Sequence, residues 1–204
     1  MKSSTQEISP IIGTAMAGGF YAGRIRLDDG QIYALIVSPK AAGEHQPTTW
    51  TGDVKNVPGA QSYCDGRANT LAMAEAGSKL AQWALDLSIG DADDWYLPSQ
   101  DELEVIYRAL KPTPRQNDCW ARSGLNLSAV EPTLPYTPDY PVQTMAEAFK
   151  QGGAESFESN WYWTSTQHLA SPGYAWSQYF SYGGQYGYST GTKLRARAVR
   201  RLIL

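Results

Sequence analysis

Residues 94–103 read Asp94-Trp95-Tyr96-Leu97-Pro98-Ser99-Gln100-Asp101-Glu102-Leu103 and contain the best-marked helix start in the chain. Ser99 is a preferred N-cap residue, and Glu102 stands three positions later, where its carboxylate can reach back to the cap. Apolar residues then recur at helical spacing, at Leu103, Ile106, Tyr107 and Leu110, before Pro112 stops the pattern. The sequence therefore predicts an amphipathic helix that begins at Ser99 and ends before Pro112.

A β-hairpin is predicted ahead of this helix. The β-rich runs 20–27 and 31–37 flank Asp28-Asp29-Gly30, and Asp-Gly between two such runs is a strong hairpin signal. Residues 38–58 are predicted to form a loop. Residues 59–87 have helical spacing, and Gly66 and Gly77 are expected to divide that region.

The rest of the chain combines a long loop with short β-like runs. Residues 112–160 are rich in proline and are interrupted only by a short helix predicted at about 143–151. Strands are predicted at 161–166, 174–182, 185–189 and 194–204. This order predicts an α+β domain whose helices are segregated from an antiparallel sheet, with the last strand beside the N-terminal hairpin. We expect a flexible or assembly arm over residues 1–18 and a single domain over 19–204.

Charge and composition bear on partners and location. A net charge of -3 gives no global reason to expect nucleic-acid binding. No uninterrupted apolar run follows Met1-Lys2-Ser3-Ser4, so we expect no signal peptide, no membrane insertion and synthesis in the cytoplasm. Cys64 and Cys119 are predicted to be free thiols, with a single disulfide between them as the alternative.

Five motifs in order resemble the Lcl C-terminal domain family: Ala60…Tyr63-Cys64, Asp94 to Leu103, Tyr162-Trp163-Thr164-Ser165-Thr166, Ala175-Trp176…Phe180…Gly183-Gly184-Gln185, and Arg195-Ala196-Arg197-Ala198-Val199-Arg200. The resemblance covers about residues 20–204. It implies the C-type lectin-like fold of the formylglycine-generating type. It also implies a phage or prophage protein with a ligand-display role, related to variable proteins that retroelements diversify in their C-terminal part, and located in the virion or tail.

The binding hypothesis rests on Gly173–Gly191. Seven Trp and thirteen Tyr are many for this length, and Tyr, Trp, Ser and Gly together are typical of recognition surfaces. The predicted ligand-binding residues are Tyr174, Ser177, Tyr179, Ser181, Tyr182, Gln185, Tyr186, Tyr188 and Thr190. Strand alternation places Trp176, Gln178 and Phe180 on one side and Ser177, Tyr179 and Ser181 on the other. Trp176 and Phe180 are assigned to the core, and the candidates for an exposed face are Tyr179, Tyr182, Tyr186 and Tyr188. The alternative is that these tyrosines are core as well, and core positions are expected for Trp161 and Trp163.

The sequence predicts no cofactor. Asp91, Asp93 and Asp94 could supply oxygen ligands to Ca²⁺, but acids are also favoured just before a helix start. His45 and His168 have no partner at zinc spacing and are predicted to lie on the surface.

A non-enzymatic protein is expected. The cysteine pair of the oxidising relatives has no counterpart beyond Cys119, and the chain lacks the common catalytic motifs. Glu155 and Glu158 are interpreted as solvent-facing acids.

The basic end is interpreted as one polar strand face. Its residues are Lys193, Arg195, Arg197, Arg200 and Arg201, and their expected partners are acids of the capped helix such as Asp101, Glu102 or Glu104. Recognition of an anionic ligand is the alternative.

The expected function is therefore recognition of a macromolecular ligand, a bacterial surface glycan or protein, by a phage or prophage protein. The alternative is a structural virion or assembly protein that uses the same surface as a subunit interface with other virion proteins or with copies of itself.

Overall fold

The computed structural model describes residues 11–52, 56–133 and 135–204, and they form a mixed α+β structure. The helices are α1 (Lys40–Gly43), α2 (Gly66–Glu75), α3 (Lys79–Leu85) and α4 (Gln100–Leu110), with a 3-10 turn at Glu147–Phe149. The strands are β1 (Ala15–Met16), β2 (Gly19–Arg26), β3 (Ile32–Val37), β4 (Glu44–Thr48), β5 (Ala129–Val130), β6 (Trp161–Gln167), β7 (Tyr174–Tyr179), β8 (Gln185–Ser189), β9 (Leu194–Arg197) and β10 (Val199–Ile203). None of the helices in the described ranges is long and apolar enough to cross a membrane.

The first sheet contains the predicted hairpin. Its strand order is β1-β2-β3-β10, and β5 also pairs with β2. Gly30 has a φ of 84° in the turn between β2 and β3, a conformation that glycine adopts without strain. β10 runs antiparallel to β3, with Val199 opposite Val37. The predicted pairing of the last strand beside the N-terminal hairpin is thus confirmed.

The second sheet has the order β4-β9-β6-β7-β8. β6, β7 and β8 form the predicted antiparallel meander, whereas β9 lies parallel to β6, with Tyr162 opposite Arg195. β9 and β10 are one run of chain that leaves the second sheet and enters the first at Ala198. At this crossing the Ala198 N–H donates to the Gly43 carbonyl, and the Ala198 carbonyl accepts from the Ser38 N–H. The C-terminal run therefore serves both sheets.

Helix α4 lies at the centre of the fold. Its apolar residues pack in one core cluster with Val37 of the first sheet, with Tyr162 of the second sheet, and with Phe180, which follows β7. These apolar residues are Leu103, Ile106, Tyr107 and Leu110. The predicted helix and its capping box at Ser99 are confirmed. The amphipathic interpretation was incomplete, because Asp101, Glu102, Glu104 and Arg108 are buried as well. Hydrogen bonds satisfy these polar groups inside the protein.

Several predicted boundaries differ from the structure. The region 59–87, predicted to be helical, contains α2 and α3, which are separated at Gly77 as expected. Residues 59–65 are not helical. Residues 38–58, predicted as a loop, include α1 and β4, and the helix predicted at about 143–151 is only the 3-10 turn. Local signals are weak in such short elements, and their pairing with distant strands determines them.

The second part of the predicted N-terminal arm is packed against the first sheet. Residues 11–18 are part of the folded structure: β1 pairs with β2, the Gly13 N–H donates to the Tyr21 carbonyl, and Ile12 packs against the core. The remainder of the arm, residues 1–10, lies outside the described residues.

The four arginines of the basic end pair with acids, and most of these acids are not the expected ones. Arg195 pairs with Glu44, Arg197 with Glu155, Arg200 with Asp94, and Arg201 with Asp65. Of the predicted partners on α4, Glu102 alone lies near one of these arginines, 4.0 Å from Arg201. α4 is enclosed by both sheets, so most of its acids face away from the C-terminal strands.

Candidate functional site

An aromatic face covers one side of the β6-β7-β8 meander. Here "aromatic face" means the side chains of Trp161, Tyr179, Tyr182, Tyr186 and Tyr188. Strand register brings them together: Trp161 lies opposite Tyr179, Ser177 opposite Tyr186, and Ala175 opposite Tyr188. Residues directly opposite each other in an antiparallel pair project to the same side.

The rings of the aromatic face form a continuous row. The ring centroids are 5.1 Å apart between Trp161 and Tyr179, and 5.2 Å apart between Trp161 and Tyr188. Tyr186 lies 5.1 Å from Tyr188, and Tyr182 extends the row 4.6 Å beyond Tyr179. Such separations are those of favourable aromatic pairs. The row is therefore held in place by its own contacts.

A pocket of about 340 Å³ lies at one end of this row, a size at the low end of small-molecule sites. It is lined by Trp120, Ala121, His168, Ser171, Tyr174, Trp176, Tyr186 and Gly187. Three of its aromatic side chains are substantially exposed: Trp120 at 52%, Tyr174 at 46% and Tyr186 at 44%. Large aromatic side chains grouped in this way on a surface mark interaction sites more often than single exposed ones do.

Two stacked ring pairs form much of the pocket lining. His168 stacks on Trp176 with centroids 4.9 Å apart and an interplanar angle of 23°. Trp120 stacks on Tyr186 at 5.3 Å and 19°. Gly187 lies opposite Trp176 in the sheet, and a Cβ there would stand 3.4 Å from the His168 ring. Any longer side chain at Gly187 would reduce the space between these rings.

Backbone contacts of distant elements position the pocket residues. The turn between β6 and β7 is closed by hydrogen bonds from the His168 N–H to the Tyr174 carbonyl and from the Tyr174 N–H to the Ser171 carbonyl. The loop that carries Trp120 is held at Gly124, whose N–H donates to the buried Glu104 carboxylate at 2.9 Å. Trp120 thus reaches the meander because α4 anchors its loop.

The pocket contains polar atoms without partners. Trp176 Nε1 and His168 Nδ1 are buried and form no hydrogen bond with the described part of the chain. Leaving such a group unsatisfied costs about 1–3 kcal/mol, so an unpaired buried donor is a feature that calls for a functional or structural reason.

The five tyrosines predicted to bind ligand are at least partly exposed in the structure. Tyr174 and Tyr186 line the pocket, whereas Tyr179, Tyr182 and Tyr188 are half-buried in the aromatic face. A ligand-binding role for these side chains stays a prediction.

The four other predicted ligand-binding residues, Ser177, Ser181, Gln185 and Thr190, are buried and cannot contribute to an exposed surface. Internal hydrogen bonds explain their position. The Ser177 hydroxyl donates to the Tyr186 carbonyl at 2.8 Å, and the Gln185 amide donates to Glu104 at 2.9 Å. The backbone carbonyl of Ser181 accepts from the Thr113 hydroxyl, and that of Thr190 accepts from the Trp50 N–H. These residues support the surface from beneath.

The core predictions were right for two residues and wrong for two. Phe180 and Trp163 are fully buried, as expected. Trp176 is half-buried in the pocket instead of the core, and Trp161 is half-buried in the aromatic face. The side of β7 that was predicted to be core carries both Gln178 and Trp176. Gln178 is buried and donates to the Gly183 carbonyl, whereas Trp176 lies where this side opens into the pocket.

Sequence reasoning missed Trp120 and His168 as site residues. His168 was predicted to lie on the surface, but it is half-buried against Trp176. His168 directly follows β6, so its place beside a residue of the next strand could have been inferred from the hairpin. Nothing in the local sequence around Trp120 indicates that its loop returns to β8.

The possible metal ligands remain apart from this site. Among the described residues no group of three or more His, Cys, Asp or Glu side chains could hold a metal ion. Asp91 and Asp93 are exposed, and Asp94 pairs with Arg200 at 2.6 Å. His45 packs edge-on against Trp83 with ring centroids 4.7 Å apart.

The Lcl C-terminal domain family model matches residues 40–200 of the chain. The matched range includes α4, the meander and the pocket, and it omits the hairpin formed by β2 and β3. No curated protein matches the chain.

Proposed function

This chain belongs to the Lcl C-terminal domain family, and we propose that it is a non-enzymatic recognition protein that binds a macromolecular ligand through the aromatic face and its pocket. The ligand is a bacterial surface glycan or protein. On the basis of the family resemblance, the proposal also includes phage or prophage origin, a place in the virion or tail, and diversification by a retroelement.

The observation that carries this proposal is the grouping of exposed aromatic side chains on rigid strands. Tyr and Trp supply large contact areas and lose little conformational entropy on binding, which is why they are frequent hot spots. Tyr174 and Tyr186 belong to paired strands, and the Tyr186 ring contacts those of Tyr188 and Trp161, with centroids 5.1 and 6.4 Å away. A surface on such strands is pre-organised, which lowers the entropic cost of binding.

The cysteines give no support to a catalytic alternative. Burial raises the pKa of Cys64 to about 11, and burial together with Asp118 and Glu104 raises the pKa of Cys119. Both groups are therefore held as thiols at neutral pH, and a thiol is a poor nucleophile.

A structural or assembly role is the second candidate, and the position of β8 favours it. β8 is the last strand in the order of the second sheet and carries Tyr186 and Tyr188. The edge of a sheet offers unpaired backbone groups to another chain. In that case the aromatic face would be a permanent subunit interface.

Two measurements on the same variants distinguish these candidates. The wild-type chain and a Tyr186→Ser/Tyr188→Ser double variant would be tested on an array of bacterial surface polysaccharides and surface proteins, and their masses measured by light scattering. The recognition proposal expects capture by at least one ligand, loss of that capture in the variant, and equal masses. An oligomer that dissociates in the variant would support the assembly role. Equal capture of both proteins, or capture of neither, would contradict recognition through this surface.

A further inference from the structure

We infer that the pocket formed by Trp120, Tyr174, Trp176, Tyr186 and His168 binds a neutral sugar ring. This inference rests on the proposed recognition function and specifies the class of ligand. It follows from three properties of the pocket: its stacked aromatic walls, its lack of charged side chains, and its free hydrogen-bonding groups.

The aromatic walls match the apolar side of a sugar. A pyranose ring presents C–H groups on its faces and hydroxyl groups around its edge. The faces of aromatic rings carry negative electrostatic potential and attract such polarised C–H groups. The rings of Trp120, Tyr174 and Tyr186 are substantially exposed, Trp120 and Tyr186 cover one face of each other, and the stacked His168 and Trp176 pair forms a further part of the wall.

The absence of charged side chains from the described lining of the pocket disfavours anionic ligands. The described residues that line it include no Lys, Arg, Asp or Glu. Stacked aromatic side chains also bind nucleobases, but single-stranded nucleic acid requires Lys or Arg along its phosphates. An anionic sugar would likewise find no cation for its carboxylate among these residues. A neutral sugar carries no phosphate or carboxylate and needs no cation.

The free hydrogen-bonding groups match the polar edge of a sugar. Trp176 Nε1 and His168 Nδ1 have no partner among the described residues, and the exposed Tyr174 and Tyr186 add their hydroxyls. A sugar hydroxyl both donates and accepts, so it can satisfy an N–H and a bare ring nitrogen alike. The ring pair must separate slightly for this contact, because neither nitrogen is accessible to water in this structure.

The test is saturation-transfer NMR with methyl glycosides of glucose, galactose, mannose and N-acetylglucosamine, at concentrations up to the order of 10 mM, where weak sites still show binding. Glucuronic acid is the anionic probe. We expect at least one neutral glycoside to bind and to outcompete glucuronic acid. Binding should weaken about tenfold in Tyr174→Ala and in Tyr186→Ala, as for hot-spot side chains. Trp176→Phe, which keeps an aromatic ring but removes the N–H group and part of the stacking area, should also weaken it.

Tyr140→Ala is the matched control, since Tyr140 is a similarly exposed tyrosine outside the pocket lining. Thermal melting would confirm that each variant is folded. The inference is overturned if no neutral glycoside binds, if glucuronic acid binds better, or if Tyr140→Ala weakens binding as much as the pocket variants. If a surface protein on the array captures the chain but no glycoside binds, the proposed function stands and this inference is removed. If a glycoside binds but nothing on the array captures the chain, this inference stands and the proposed function is removed.

Discussion

Ser99 and Glu102 cap each other at the start of α4. The Ser99 N–H donates to Glu102 Oε2 at 2.7 Å, and the Glu102 N–H donates to the Ser99 hydroxyl at 3.3 Å. The same carboxylate accepts from the Gly66 N–H at 3.1 Å and from the Tyr96 hydroxyl at 2.7 Å. One buried acid therefore joins the first residue of α2 to the start of the central helix.

Removing the cap should destabilise the protein measurably. Ser99→Ala leaves the Glu102 N–H without its acceptor and should lower the free energy of unfolding by about 1 kcal/mol. Urea denaturation would measure the change, with Ser189→Ala on exposed β8 as the control. An unchanged midpoint for Ser99→Ala would show that the cap contributes nothing to stability.

The stability of the fold should decrease as the pH rises from about 4.5 to about 7. Burial raises the pKa of Glu102 to about 7, although hydrogen bonds from Ser99 and Tyr96 and the charge of Arg201 oppose the shift. The folded protein therefore keeps a proton that the unfolded chain releases near the ordinary value of 4.5. The corresponding stability is fully present below that value and is lost as the pH rises through about 7.

Asp101 should act in the same direction, because burial raises its pKa to about 6 from an ordinary 3.8. Denaturation at several pH values would compare the wild type with Glu102→Gln, whose amide cannot ionise. The variant should show a smaller loss of stability between about pH 4.5 and 7. If both proteins lost the same amount, Glu102 would not be the responsible group.

Arg197 should be the most sensitive residue of the C-terminal run. Its buried guanidinium donates to Glu155 at 2.6 Å and to the Ser38 carbonyl at 2.8 and 3.0 Å, and it lies 4.7 Å above the Phe157 ring. Arg197→Met should cost about 3–5 kcal/mol, since it leaves the largely buried carboxylate of Glu155 without its cation and the Ser38 carbonyl without its two donors. Lys150→Ala breaks an exposed pair with Glu147 and should cost at most about 1 kcal/mol. Similar midpoints for the two variants would contradict this.

Stability should distinguish the aromatic face from the core. Tyr186→Ser should cost about 0.5 kcal/mol, and each of Tyr179→Ser, Tyr182→Ser and Tyr188→Ser about 1 kcal/mol because these rings are half-buried. Trp163→Ala should cost about 3 kcal/mol or more as a core deletion. Denaturant melts would rank the five variants. Losses near that of Trp163→Ala for all four tyrosines would mean that these rings are core side chains.

The elements that could be predicted from the sequence are those whose signals are local. The capping box at Ser99 and Glu102 and the Asp29-Gly30 turn lie within a few residues of the structure that they specify, and both were located correctly. The pairing of β10 with β3 was also predictable, because both ends of the chain read as strands.

The site depended on contacts that the local sequence does not contain. A period of two indicates which residues of β7 share a side, but not how far along the strand that side is covered. Gln178 is covered, with Gln185 opposite it bonded to Gln100 and Glu104 of α4, whereas Trp176 lies where the pocket opens. Trp120 reaches Tyr186 from a loop that is held by distant contacts, among them the hydrogen bond from the Gly124 N–H to Glu104.

The passage of one strand run from the second sheet into the first has a consequence for how the protein unfolds. Detaching the run at Ala198 would break its bonds to Gly43 and Ser38 and withdraw a strand from each sheet at once. Neither sheet could then persist as an independent cooperative unit while the other melted. We expect the two sheets to lose their protection against hydrogen exchange together, in a single two-state transition.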